Sequence, residues 1–234
     1  MGKCEGFNKT YPFTTEDISG FIPQLDVKDK SIFTVGSSSD QALNAILLGA
    51  SEVTLFDIDE HTKEFFERKK QIILSSSLDE VYEKVININN VEFSSDLFCE
   101  NDIRKMNLYM RDEESFNKLK ERLNNFRVKI IQCDLFHMDN TKLNDKFDLM
   151  LLSNVLQYLT VSEDEKIEDK VYDIFSSLDI YLNSPGFIQL FYLYGSLYPK
   201  GFINILRKFE EANIEVEKVK CDNSRDSIIL IKKH

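Results

Sequence analysis

A glycine closing an apolar run, followed by small hydroxylated residues and an acid, can reverse the backbone tightly and aim its N–H groups at an anion. Gly36-Ser37-Ser38-Ser39-Asp40 has this make-up, directly after the apolar, β-branched stretch Ser31–Val35. By itself such a stretch is equally the composition of an ordinary turn. Asp57 adds to it. It ends the next apolar stretch, Glu52–Phe56, where a carboxylate can accept both hydroxyls of a ribose, with Ile58 as its apolar neighbour. Asp59, just ahead of Glu60 and His61, is the better candidate for capping the following helix. Asp134 repeats the pattern after Val128–Cys133: its carboxylate could take the exocyclic amine of a base, with Leu135 as an apolar flank. Ser153-Asn154 follows Phe147–Leu152 in the same manner. Small polar and acidic residues at successive strand ends describe an edge suited to a nucleoside.

The elements that must position these residues can be read from periodicity. Ser31–Val35, a helix carrying Ala42, Ala45 and Ile46 and stopped by Gly49, and Glu52–Phe56 form a βαβ unit. A right-handed crossover then puts the Gly36 turn and Asp57 on the carboxyl edge of a parallel sheet. A helix from Glu60 to about Leu74 has Phe65, Phe66, Lys69, Ile72 and Ile73 on one stripe. Between the second and third strands, residues 75–125 are too long for one crossover. Helical patterns at Leu78–Ile86 and through Phe116, Leu119, Leu123 and Phe126 suggest an inserted helical subdomain or lid. A helix from about Glu163 to Leu182, a strand Gly186–Leu193 and a helix through Phe202, Ile205 and Phe209 come next. Strands Ile214–Cys221 and Ser227–Lys232, joined by a polar turn, close the chain as an antiparallel hairpin. Thr14 to Leu25 opens with a helix-start signal. One domain spanning 1–234 is expected, with the insertion inside it.

This order of elements resembles the class I S-adenosylmethionine-dependent methyltransferases from Ser31 to Lys232. The terminal helix and antiparallel strand pair distinguish them from dinucleotide-binding dehydrogenases, as does the lack of a G-x-G-x-x-G after any strand. The resemblance implies an α/β, Rossmann-like methyltransferase fold with a mostly parallel seven-stranded sheet, and S-adenosylmethionine as cofactor. It gives Gly36, Ser37 and Ser38 to the cofactor loop, Asp57 to the ribose with Ile58 beside it as a further cofactor contact, Asp134 and Leu135 to the adenine, and Ser153 and Asn154 to the reacting centre. The family's loop begins with an acid and alternates glycines, where this chain has Thr34, Gly36, Ser38 and Asp40. Val35-Gly36-Ser37-Ser38-Ser39-Asp40 is also similar to betaine-lipid enzymes that transfer the 3-amino-3-carboxypropyl group. Asp40 is therefore expected to supply the carboxylate for the cofactor's ammonium group.

Composition narrows the partners. A charge of −11 repels a phosphate backbone, so a small-molecule acceptor is expected and nucleic acid is not. The basic runs Arg68-Lys69-Lys70 and Lys118–Arg122 read as solvated helix faces. With 42% hydrophobic residues a packed core is available without a metal or disulfide staple. Cys4, Cys99, Cys133 and Cys221 lack metal-ligand spacing and are expected as reduced, mostly buried thiols. No leader pattern or membrane span is visible, so a cytoplasmic protein is expected. Tyr11, Tyr192, Tyr194 and Tyr198 could stack on a sulfonium or a substrate, or could lie at the core boundary. Asn154 and Gln157 could orient a nucleophile; His61 and His137 read as surface residues, and no general base stands out. Methyl transfer leads, aminocarboxypropyl transfer is the alternative, and a non-catalytic nucleotide-binding scaffold is the reading from another class.

Overall fold

The computed structural model describes residues 10–88, 99–138, 143–159, 162, 165–195 and 199–233. Strands β1 (Ser31–Val35), β2 (Glu52–Asp57), β3 (Val128–Gln132), β4 (Phe147–Leu151), β5 (Leu182–Leu193), β6 (Val216–Lys220) and β7 (Ser227–Lys233) form one sheet in the order β3-β2-β1-β4-β5-β7-β6. β1 to β5 pair in parallel, and β7 runs antiparallel to both β5 and β6. From β1 the chain first moves outward to β2 and β3, then returns to β4 on the other side. The carboxyl ends of β1 and β4 therefore flank the topological switch point, where open α/β sheets leave a crevice.

The alternation of side chains across the pleat divides the core into two layers. Ile32, Leu55, Leu149 and Leu230 point to one side with helices α2 (Asp40–Leu48) and α3 (Thr62–Ser75). Phe33, Phe56, Met150 and Ile229 point to the other, with α7 (Ile167–Asp179) and α8 (Pro199–Glu211). α2 ends where expected: Gly49, at φ 100°, turns its N–H back to the carbonyls of Ala45 and Ile46.

Several expectations are corrected. The first helix, α1, covers only Ile18–Phe21; the Asp17 carboxylate caps it by accepting from Gly20 N, and Pro23 tightens the next turn into a 3-10 helix, Ile22–Gln24. The region between β2 and β3 holds α4 (Leu78–Ile86) and α6 (Glu113–Asn125), as the periodicity predicted. It also holds α5 (Glu100–Met106), whose single buried apolar residue, Ile103, gave no periodic signal. In their described parts α6 packs on α2 and α3, α4 on α3, and α5 on α1. Val81, Ile103, Phe116 and Leu119 join the core layer of α2, and all but the last residue of α2 are buried. The α7 helix begins at Ile167, and Cys99 is exposed while Cys133 and Cys221 are buried. Among the described residues no helix is long and apolar enough to cross a membrane.

Candidate functional site

Gly36 and Asp57 meet at the tips of β1 and β2. Ser37 donates its backbone N–H to Asp57 Oδ2 at 2.7 Å, and Asp59 N donates to Asp57 Oδ1 at 3.1 Å. A Cβ on Gly36 would sit 2.4 Å from Thr62 Cγ2 and 3.1 Å from Asp57, so any side chain here would force Thr62 or the turn to shift. Burial raises the Asp57 carboxyl above the usual range, against the opposing pull of those backbone donors. The backbone N–H of Ile58 faces the same carboxylate, and three donors on about four acceptor sites leave room for one hydroxyl more. Asp59 accepts from His61 N at 2.9 Å in a turn ahead of α3; that helix starts at Thr62 with His61 in the cap position and no side-chain cap, so the capping role expected of Asp59 is not found.

Asp40 behaves otherwise than expected. Its carboxylate is closed off from solvent and accepts from Thr14 N at 2.6 Å, Lys69 Nζ at 2.6 Å and the Tyr109 hydroxyl at 2.7 Å. The cation it meets is Lys69, not a ligand's ammonium. Lys69, expected on a solvated face, is fully buried; it also donates to the carbonyls of Ser38 and Pro12, each at 2.8 Å, and lies 4.5 Å from the centre of the Phe13 ring. A lysine inside the stripe Phe65, Phe66, Ile72 and Ile73 was the sequence signal for this pair. Asp40 and Lys69 together pin the Ser37–Asp40 turn from below.

Glu16 is the acid that sequence reasoning missed at this edge. It is buried where α2 and the β4 tip meet. Gln41 Nε2 donates to it at 3.0 Å, and the Ser153 hydroxyl donates to its other oxygen. Thr34, in the place of the family's acid, donates its hydroxyl to Gln41 Oε1 at 2.7 Å. Among the described residues no basic side chain pairs with Glu16, and burial pushes its carboxyl up to about 7. Ser153 adopts a left-handed backbone, φ 57°, and its N–H donates to Gln189 Oε1 at 2.7 Å. A non-glycine residue held there is a strained position of the kind that gathers at functional sites. Gln189, the one amide side chain in the run Gly186–Leu193, is buried where it can hold this N–H.

Asp134 follows β3 and accepts from Phe136 N at 2.9 Å, with His137 Nδ1 2.8 Å from its other oxygen. The β2 and β3 tips are tied by Cys133 N donating to the Asp57 carbonyl at 2.9 Å. Gly36, Asp57, Asp134 and Ser153-Asn154 thus share one edge, in the strand order β3-β2-β1-β4 with β7 inserted antiparallel. The glycopeptide N-methyltransferase MtfA is similar over 97% of this chain and 91% of its own, with a TM-score of 0.53 and 9% identity. A methyltransferase from Pyrococcus furiosus is similar over 92% of this chain and 81% of its own, with a TM-score of 0.50 and 12% identity. The fold is the class I methyltransferase fold. At these identities the likeness is one of architecture; no protein-family model and no curated protein matches the chain.

Around the edge of this methyltransferase fold, apolar surface is left open. Ile58 is 64% exposed beside Asp57, whereas Leu135 is buried. Tyr11 and Tyr158 are exposed and hydrogen-bonded to each other. Tyr192 belongs to the core: its buried hydroxyl accepts from Asp17 N at 2.5 Å. The Tyr194 hydroxyl accepts from Asn154 Nδ2 at 3.3 Å, and Tyr198 lies outside the described residues. His61 and His137 are surface residues, as read from the sequence.

Proposed function

We propose that this chain is an S-adenosylmethionine-dependent transferase that moves a methyl group to a small polar acceptor. The observation that carries the reading is the Ser37–Asp57 contact beside Gly36, at the switch-point edge of a methyltransferase fold. The residues present fit the cofactor. Asp57 retains an acceptor position for a ribose hydroxyl, and exposed Ile58 offers an apolar face to the adenine. Asp134 and Leu135 border the base position, and Ser153 and Asn154 border the switch-point crevice. Bound there, S-adenosylmethionine supplies a carbon activated by its sulfonium. The protein then has to hold the nucleophile in line with that carbon and exclude water, work that positioning groups can do without a catalytic triad.

A cavity of about 670 Å³ beside α1, within the range of small-molecule sites, supports a small acceptor. It is lined by Thr15 and Asp17, the chain neighbours of Glu16, and by Arg104, Arg111, Asn223 and Asp226; none of Gly36, Asp57, Asp134 or Ser153 lines it. Charges of both signs in its wall suit a polar or zwitterionic molecule better than an apolar one. Together with the net charge of −11 this disfavours nucleic acid.

Calorimetry with S-adenosylmethionine, followed by identification of the nucleoside product in turnover with candidate acceptors, tests the reading. S-adenosylhomocysteine as product supports methyl transfer; methylthioadenosine would convert the assignment to aminocarboxypropyl transfer. No binding at millimolar cofactor would leave only the scaffold reading.

A further inference from the structure

Three carboxylates are buried at this edge: Asp17, which caps α1, and Asp40 and Glu16, which differ in one respect. Asp40 has its counter-cation within the protein, Lys69 at 2.6 Å. Glu16 has none among the described residues, although it is 4% exposed. A buried carboxylate without a cation is unfavourable unless something else compensates the charge. What surrounds it is neutral. From α2 comes Gln41, from the β4 tip Ser153 and Asn154, and from the end of β5 Tyr194. The Tyr192 hydroxyl and Cys221 thiol are the other titratable groups whose environment includes Glu16, along with Asp17 next to it and Asp226 beyond Cys221. None is a cation. Burial also holds the Tyr192 hydroxyl well above its ordinary value and pushes the Cys221 thiol up to about 12.

Position identifies the missing charge. Gln41 links Glu16 to Thr34 on β1, and Ser153 links it to β4, so the carboxylate spans the two strand tips that flank the switch point. We propose that Glu16 binds the ammonium group of the cofactor's aminocarboxypropyl arm, with Gln41 and Ser153 as positioning residues that hold its carboxylate across the β1 and β4 tips. The assignment rests on the cofactor reading above. It replaces Asp40 in that role, and it accounts for threonine at the position where the family's loop carries an acid: Gln41 transmits the contact from Thr34 to an acid supplied by the segment before α1.

The test compares S-adenosylhomocysteine, which has the ammonium, with 5′-methylthioadenosine, which lacks the whole amino-acid end. Calorimetry on Glu16→Gln should show S-adenosylhomocysteine weakened about 10- to 100-fold, as for loss of a charged hydrogen bond, with methylthioadenosine unchanged. Unchanged S-adenosylhomocysteine affinity in Glu16→Gln overturns the proposal and leaves the cofactor reading standing. Equal weakening of both ligands also overturns it, since Glu16 would then only shape the edge. If the wild-type protein binds neither ligand, the cofactor reading itself fails. Should the variant not fold, the wild-type protein still decides. The affinity for S-adenosylhomocysteine relative to methylthioadenosine should rise between about pH 6 and about pH 8 as Glu16 ionises; a flat ratio overturns the assignment.

Discussion

Lys69 Nζ and Asp40 Oδ1 lie 2.6 Å apart with both side chains shut off from solvent. The lysine's remaining protons go to the carbonyls of Ser38 and Pro12, so the pair holds both the turn after β1 and the chain ahead of α1. Removing one member leaves the other charge buried without compensation, which is far more harmful than losing an exposed ion pair. Lys69→Met is expected to destabilise the protein by about 3–5 kcal/mol in urea unfolding. The double variant Lys69→Met with Asp40→Asn should recover part of that loss. A single variant within about 1 kcal/mol of wild type would show that the pair does not secure the turn.

Glu16 makes stability depend on pH in a definite direction. Its carboxyl is raised to about 7 from an ordinary 4.5, chiefly by burial. Below the lower value both folded and unfolded chains carry the proton. Between the two values only the folded chain does, so stability falls as pH rises through that window and levels off above about 7. The loss is on the order of 3 kcal/mol. Glu16→Gln removes it, so the variant should melt above wild type at pH 8 and gain least at pH 4. An equal difference in melting temperature at both ends would contradict a raised Glu16. The gain in stability would accompany weaker cofactor binding, the trade often seen at functional sites.

The closeness of Gly36 to Thr62 can be tested by size. Gly36→Ala places a methyl 2.4 Å from Thr62 Cγ2, which forces the turn off Asp57. Overpacking of this sort costs about 1–3 kcal/mol. Thr62→Ser removes the opposing methyl, so in thermal melts the double variant should regain most of the loss. No recovery would mean that the backbone, not the Thr62 side chain, is what excludes a larger residue.

Asp57→Asn keeps the shape of the side chain while replacing one acceptor oxygen by an amide donor. Cofactor affinity should fall about 10- to 100-fold in calorimetry, the scale of a lost charge-assisted hydrogen bond. The circular dichroism spectrum should be retained. Wild-type affinity in this variant would remove Asp57 from the ribose.

The sequence by itself determined the sheet, the tips and the edge. Short apolar runs of β-branched residues have few alternatives to buried parallel strands, and the connections between them fix which end faces the ligand. Gly36, Asp57, Asp134 and Ser153 were legible because each follows such a run directly. Partnership among the polar side chains was decided only in three dimensions. Nothing local distinguishes Asp40 from Glu16: each is an acid near a helix start. One is neutralised by a lysine from the next helix, whereas the other is enclosed by Gln41 and Ser153 from separate elements. The role of a buried charge is set by which distant groups pack around it, because in a low-dielectric interior those few contacts outweigh the residue's own preferences.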